Sequence, residues 1–95
     1  MVKHIVMFKL GGESAQKAAL DFKAALEALP AEIECLKAME VGINENPAEQ
    51  WTLVLTATLD TMADVDVYAK HPAHVAAASL IAGCKLDRAC VDYVM

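Results

Sequence analysis

The amino-acid sequence predicts one α+β domain whose strands and helices follow the order β-α-β-β-α-β. Its 95 residues allow a single domain, residues 1–95, and leave no room for a second. Hydrophobic residues make up 57% of the chain, above the roughly 45–50% usual for soluble domains. Short segments rich in β-branched residues alternate with segments in which apolar residues recur at helical spacing, so the local pattern indicates both strands and helices.

The first strand is predicted over Val2–Leu10, where nearly every residue is β-branched, aromatic or long and apolar. Such a strand is buried on both sides. One face carries Val2, Val6, Phe8 and Leu10, and the other carries Ile5 and Met7.

The first helix is predicted between the Gly11-Gly12 pair, which ends the strand, and Pro30. Ser14 is placed to cap its amino end. Apolar residues recur there at helical spacing and form one stripe: Ala15, Ala18, Ala19, Phe22, Leu26 and Leu29.

A hairpin is predicted next. Its strands are Leu36–Ile43 and Trp51–Leu59, joined by a turn at residues 44–47. Bulky residues of the return strand share one parity (Trp51, Leu53, Leu55 and Leu59), and Val54 with the threonines occupies the other.

The second helical region is predicted to break in the middle. Thr61, with Asp64 three residues on, suggests an N-cap, although Asp is shorter than the Glu or Gln of a full capping box. The helix runs to about Lys70, and Pro72 disfavours helical geometry at the residue before it while suiting a new first turn. Gly83 is expected to close the second piece. Leu86–Val94 forms the last strand.

Two right-handed crossovers joined by a hairpin give a ferredoxin-like sandwich, an antiparallel four-stranded sheet with the helices on one face. The other face, with Ile5 and Met7, then lies uncovered. The simplest cover is the same face of a second copy across a two-fold axis. The sequence therefore predicts a homodimer through the open sheet face, a dimeric α+β barrel.

Composition narrows the partners and the compartment. Eight basic and thirteen acidic residues leave a net charge of −5, which disfavours nucleic acid and anionic membranes as partners. No apolar stretch approaches the roughly 20 residues that cross a bilayer. Three cysteines without CxxC spacing indicate reduced thiols, and no export signal is evident, so we expect a cytoplasmic protein.

Three blocks of the sequence resemble the stress-responsive A/B barrel (Dabb) family of dimeric α+β barrels. They are Val2–Lys9, Tyr68–His74 (YAKHPAH) and Val91–Tyr93. The likeness covers essentially the whole chain, and the HPAH segment between two helical pieces is its specific part. The resemblance implies a cytoplasmic homodimeric barrel.

The resemblance does not imply a single activity. Many members look like small proteins of unknown role, some plant members are linked to stress, and one plant branch is a cofactor-free polyketide cyclase. In that branch a tyrosine and the second histidine of the HPAH block act together on the substrate, which places these roles on Tyr68 and His74. The histidine that corresponds to His4 lines the same cavity.

Elementary chemistry supports a site at these positions. A histidine carries protons near neutral pH, and a tyrosine hydroxyl can donate to a developing oxyanion. His74 would lie in the positive first turn of its helix, which disfavours the imidazolium and keeps a base available.

Each candidate also has a structural interpretation. His4 shares a face with Val6 and Phe8. In the functional interpretation these three residues line a ligand cavity. In the structural interpretation His4 is a core histidine whose ring hydrogen-bonds to a backbone carbonyl or to the HPAH segment. His71 contacts a ligand or caps the helix that begins at Pro72. Tyr68 donates to a substrate or is a packed aromatic.

Three functions stay open. The first is a small dimeric stress-response-type protein that binds a small apolar or aromatic ligand between helices and sheet. The second is a metal-free cyclase, lyase or isomerase that uses His74 and Tyr68. Two observations argue against it: only 5% of the residues are aromatic, and the side chains after His74 are small, so little surface is available for stacking on a flat aromatic substrate. The third is a cofactor-independent monooxygenase, by analogy of fold. Histidine spacing predicts no metal site, and we expect no cofactor.

Overall fold

The computed structural model describes all of residues 1–95 and confirms the predicted ferredoxin-like α+β fold, with the second helix split in two. The elements are β1 (Val2–Leu10), α1 (Ala15–Glu27), a 3₁₀ turn (Leu29–Ala31), β2 (Ala38–Ile43), β3 (Leu53–Leu59), α2 (Met62–Lys70), α3 (Pro72–Ala78) and β4 (Lys85–Val94). None of the helices is long and apolar enough to span a membrane.

The sheet is antiparallel throughout, with the strand order β2-β3-β1-β4. The long central strand β1 therefore pairs on both sides. Val6 lies opposite Leu55 of β3 and Cys90 of β4, and Met7 lies opposite Val54 and Ala89. This register decides which residues share a face, because side chains alternate across a strand.

The core lies between the sheet and the helices. The face of β1 predicted to carry Val2, Val6, Phe8 and Leu10 is buried, whereas the odd-numbered residues, which were predicted to be buried as well, are only half-buried. The rings of Phe8 and Phe22 meet edge to face, with centroids 5.5 Å apart. The helix α1 packs on β2, and α2 packs on β3, so the helices leave β4 largely uncovered.

Several predicted boundaries are wrong by a few residues. The first helix ends at Glu27, because the chain tightens into the 3₁₀ turn around Pro30. Ser14 occupies the N-cap position, yet its side chain makes no capping hydrogen bond. The second strand begins at Ala38 rather than Leu36, which is buried in the approach to the strand.

The prediction for Trp51 is also wrong. The return strand begins at Leu53, so Trp51 is outside the ladder and does not follow the parity of Leu53 and Leu55. Its side chain instead helps to line a groove with Met7 and Val54, which belong to the opposite face of the sheet.

Gly83 does not close the helix. The helix α3 ends at Ala78, and successive turns follow, in which Leu80, Ile81 and Ala82 each donate a backbone N–H to the carbonyl three residues earlier. These turns satisfy the last carbonyls without a left-handed residue, and Gly83 has no positive φ. The glycine that needs this conformation is Gly12, whose φ is 95° after β1.

The break in the second helix is confirmed, and the amino ends of both resulting helices, α2 and α3, are capped by side chains. Thr61 Oγ1 accepts from the Asp64 N–H at 3.2 Å, and Asp64 Oδ2 accepts from the Thr61 N–H at 3.3 Å, so the shorter Asp completes a capping box. His71 is extended (φ −63°, ψ 136°), and its Nδ1 accepts from the Ala73 N–H at 3.0 Å. The chain therefore stops and restarts where Pro72 requires it.

Candidate functional site

A cavity of about 160 Å³ lies between the helix-side face of the sheet and helices α2 and α3. Most of its wall is apolar, formed by Val6, Phe8, Phe22, Leu55, Ala69, Ala78 and Ile81. Its polar lining consists of His4, Tyr68, His74, Lys85 and Arg88. No carboxylate side chain lines it.

Tyr68 is the most deeply buried polar side chain of the cavity. The residue is fully buried, and its hydroxyl has no hydrogen-bond partner in the protein. An orphaned buried hydroxyl costs about 1–3 kcal/mol. Burial raises the pKa of Tyr68 well above its usual value, and the nearby Arg88 charge lowers it only in part. Tyr68 therefore stays protonated and can serve as a hydrogen-bond donor, not as a base.

His74 lies beside Tyr68, with ring centroids 4.6 Å apart. Its Nδ1 is 3.0 Å from the Ala69 carbonyl oxygen, which can only accept, so Nδ1 carries the proton and Nε2 has the lone pair. Burial lowers the pKa of His74, the bond to Ala69 opposes this, and the charges of His4 and Arg88 lower it further. The ring is thus neutral at pH 7.

The expected direction for His74 is therefore found, but with a different cause. We attributed it to the positive first turn of the helix. Burial is the largest contribution in the structure, and α3 is only seven residues long, too short for a strong dipole.

His4 forms the opposite wall and is held by a carboxylate. Its ring meets Tyr68 edge to face at a centroid distance of 5.7 Å. Its Nδ1 makes a short hydrogen bond to Asp92 Oδ1. The polar ring is thus satisfied by Asp92, not by a backbone carbonyl or by the HPAH segment, and Nε2 is left without a partner in the protein.

The structure brings five of the six predicted site residues together. His4, Val6, Phe8, Tyr68 and His74 all line the cavity. His71 does not, because its ring faces a separate surface groove while its Nδ1 caps α3. Its position is that of a capping residue.

Sequence reasoning missed the contribution of β4. Asp92, Arg88 and Cys90 fall on the helix side of this strand, because they lie opposite His4, Phe8 and Val6 of β1. The available signal was parity, since residues 88, 90 and 92 alternate with the apolar residues 89, 91 and 93. Parity alone does not show which residue of β1 each one faces.

The same strand supplies a cluster of metal-type donors. His4 Nδ1, Cys90 Sγ and an Asp92 oxygen lie within 4.8 Å of one another, and Sγ is 3.6 Å from Nδ1. The spacing of the histidines, from which no metal site is predicted, gives no sign of this cluster, because Cys90 and Asp92 are far from His4 in the sequence. Burial, with the Asp92 charge, raises the pKa of Cys90, so the sulfur is a thiol at pH 7. A cation would have to replace the thiol proton and the hydrogen bond between His4 and Asp92.

A second concavity lies on the open face of the sheet. It encloses about 330 Å³ and is lined by Met7, Val54, Trp51 and their neighbours at the β2–β3 end. Glu49 is its only titratable side chain. It is larger than the cavity around Tyr68, but it holds no pair of groups suited to proton transfer.

Comparison with known proteins gives a family match over almost the whole chain. The family model described as Stress responsive A/B Barrel Domain matches residues 2–95. A protein from Bacteroides fragilis NCTC 9343, described as dimeric, of unknown function and ferredoxin-like in fold, is 47% identical to this chain. The match covers 99% of this chain and 95% of that one, with a TM-score of 0.91. No curated protein matches the chain.

Two more distant similarities concern enzymes. The hydroxynitrile lyase from Passiflora edulis is 19% identical, with a TM-score of 0.82 over 99% of this chain and 92% of that one. An antibiotic biosynthesis monooxygenase is 14% identical, with a TM-score of 0.80 over 100% of this chain and 98% of that one. At these identities the likeness shows the fold alone.

Proposed function

Because the chain belongs to the stress responsive A/B barrel domain family, we propose that it is a homodimeric barrel protein that binds a small apolar molecule in the cavity around Tyr68. The observation that carries the proposal is the Tyr68 hydroxyl, which is buried without a hydrogen-bond partner. A ligand oxygen that accepts from this hydroxyl would remove the cost of leaving it unpaired.

Cavity size and lining define the ligand. Pockets for drug-sized molecules enclose about 300–1,000 Å³, and this cavity of about 160 Å³ is smaller. The wall is mostly aliphatic and aromatic, so the body of the ligand is apolar. One acceptor atom is needed at Tyr68, and the unpartnered Nε2 atoms of His4 and His74 offer further polar contacts.

The ligand test uses acetophenone, an apolar molecule with one carbonyl acceptor, and toluene, which lacks the acceptor. We expect acetophenone to raise the melting temperature more than toluene does, because only acetophenone pairs the Tyr68 hydroxyl. Ala78→Leu should abolish the shift, since Ala78 lines the cavity and a larger side chain fills it.

The matched control is Ala76→Leu on the exposed side of the same helix, which should leave the shift intact. If Ala78→Leu and Ala76→Leu bind acetophenone equally well, the cavity is not the binding site. If acetophenone produces no shift in the unaltered protein, the binding proposal fails.

The dimer is proposed through the open face of the sheet. Met7 and Val54 lie there half-buried, and Val91 is 54% exposed, with no helix to cover them. The Bacteroides fragilis protein, 47% identical to this chain, is described as dimeric, which supports the same assembly here. A second copy would cover the apolar surface that the helices leave open.

The dimer test places a charge on that face. Met7→Asp should produce a monomer or an aggregate, because an unpaired charge in an apolar interface costs several kcal/mol. The control Leu20→Asp adds the same charge at an exposed position of α1. Light scattering should give a dimer for the control. A dimer mass for Met7→Asp would show that another surface mediates assembly.

A second candidate function is metal-free proton transfer by His74 and Tyr68, as a cyclase, lyase or isomerase would require. It is favoured by the neutral His74 ring with a free Nε2 beside an undissociated phenol. In this mechanism Nε2 removes a proton next to a substrate carbonyl, and the Tyr68 hydroxyl donates to the enolate oxygen that forms. The monooxygenase alternative has no comparable residue to support it.

Proton abstraction can be measured without knowing the substrate. In D₂O, the methyl protons of acetophenone exchange for deuterium when a base removes them, and proton NMR follows the loss of signal. We expect the protein to accelerate exchange and His74→Gln to lower that acceleration by about 10²-fold or more. Tyr68→Phe should also slow it. Equal exchange with His74→Gln would remove His74 from any catalytic role.

A further inference from the structure

We propose that the molecule bound in this cavity carries a carboxylate, which Arg88 and Lys85 bind at the cavity mouth. The inference rests on the proposed binding function and specifies the chemical class of the ligand, a short apolar monocarboxylate. Its apolar body would lie between sheet and helices, and its charged end would face the exposed strand β4.

The charge of the cavity lining is opposite to that of the protein. The chain has thirteen acidic and eight basic residues, yet two basic residues and no acidic ones line the cavity. A lining drawn from a chain of net charge −5 would be expected to contain carboxylates. This local excess of positive charge at a concave surface favours an anionic ligand.

The two cavity cations also lack the partners that the other basic residues have. The remaining lysines each contact a carboxylate, an amide oxygen or a hydroxyl: Lys3, Lys9, Lys17, Lys23, Lys37 and Lys70. Lys85 has no such partner, and Arg88 has only the Cys90 thiol beside it. Neither forms a salt bridge. Both cations are therefore free to bind an external anion.

The nearby carboxylates do not neutralise these cations. Asp92 is engaged by His4 Nδ1, and Asp87 accepts from the backbone N–H of Arg88 on the other side of the strand. Arg88 lines the same cavity as Tyr68 and His74, and its positive charge lowers the pKa of both. One ligand can therefore reach the cation and the phenol together.

Arginine suits this role because its planar guanidinium binds a carboxylate through two parallel hydrogen bonds. Arg88 is exposed, so its long side chain can adjust to the ligand. Lys85, three residues earlier on the same strand, adds a second positive charge at the mouth.

The test compares hexanoate with hexanamide, which has nearly the same shape and no charge. Isothermal titration calorimetry should show hexanoate binding about tenfold more tightly to the unaltered protein, a modest gain because the ion pair is partly exposed. Arg88→Gln should remove most of the difference in affinity between hexanoate and hexanamide and leave the affinity for hexanamide unchanged. Lys85→Gln should have a smaller effect in the same direction.

Lys17→Gln on α1 is the matched control, because it removes the same charge from an exposed residue that does not line the cavity and should change neither affinity. Unchanged hexanoate affinity in Arg88→Gln, or equal affinities for hexanoate and hexanamide in the unaltered protein, would overturn the inference while leaving the binding function in place. If acetophenone, hexanamide and hexanoate all fail to bind, both proposals fail.

Discussion

Strands β1 and β4 are neighbours in the sheet and nearly equal in length, but their surroundings differ completely. In β1 every even-numbered residue is buried, whereas nine of the ten residues of β4 are exposed. Paired residues make the contrast direct: Val2 is 2% exposed and Val94, which lies opposite it, is 70% exposed.

The contrast shows that strand pairing and burial are separate properties. The two strands pair along their length in an antiparallel ladder, but the helices cover the part of the sheet that contains β1, β2 and β3 and leave β4 exposed. β1 therefore contributes stability. β4 contributes Arg88 and Lys85 to the lining of the cavity and Asp92 to the hydrogen bond that holds His4, and its residues Val91 and Tyr93 are exposed on the open face of the sheet.

The largest effect is expected where the two strands face each other at Val6 and Cys90. Val6→Ser should lower the free energy of unfolding by about 3 kcal/mol, because it removes buried methyl groups and buries a hydroxyl. Cys90→Ser should change it by less than about 0.5 kcal/mol at an exposed position. Urea unfolding measures both. Similar losses would mean that β4 is as buried as β1.

A smaller effect is expected at the end of the strands, with an identical substitution on each. Val2→Ala should cost about 2 kcal/mol, since it removes two buried methyl groups and leaves a cavity. Val94→Ala should stay within about 0.5 kcal/mol. If thermal unfolding finds Val94→Ala equally costly, something in solution covers the helix side of β4.

The smallest effect concerns pH and the cavity that both strands border. The lowered pKa of His74 means that the unfolded chain takes up this proton at a higher pH than the folded protein does. The stability due to neutral His74 is therefore complete above about pH 6.5 and declines as the pH falls through the lowered pKa. His74→Gln should unfold with a weaker dependence on pH between about 7.5 and 5. An unchanged dependence of the unfolding free energy on pH in His74→Gln would mean that the ring of His74 is solvent-exposed in the folded protein.

Most of the fold was predictable because its signals are local. The alternation of β1, the capping pair Thr61 and Asp64, and the stop at Pro72 each depend on residues within a few positions of one another. The errors at Trp51 and Gly83 lie in a loop and in a series of turns, where the backbone conformation does not follow from side-chain periodicity. Local sequence pattern therefore does not predict it.

The candidate site was predicted only in part. His4, Tyr68 and His74 were identified from the face of β1 and from the YAKHPAH block, and the structure places them around one cavity. Asp92 and Arg88 were missed, because their relation to this cavity depends on a strand pairing between residues 88 positions apart in the chain, as for His4 and Asp92.

The sequence by itself determined the order of the elements, the two-sided apolar character of β1 and the break before α3. These follow from side-chain periodicity and from the geometry of proline, which act over one or two turns of chain. Only the tertiary structure decided that Tyr68 is buried without a partner, that Asp92 holds His4, and that β4 stays exposed with Arg88 at the cavity mouth. Those properties depend on which distant surfaces the helices cover and on the register between strands that are far apart in sequence.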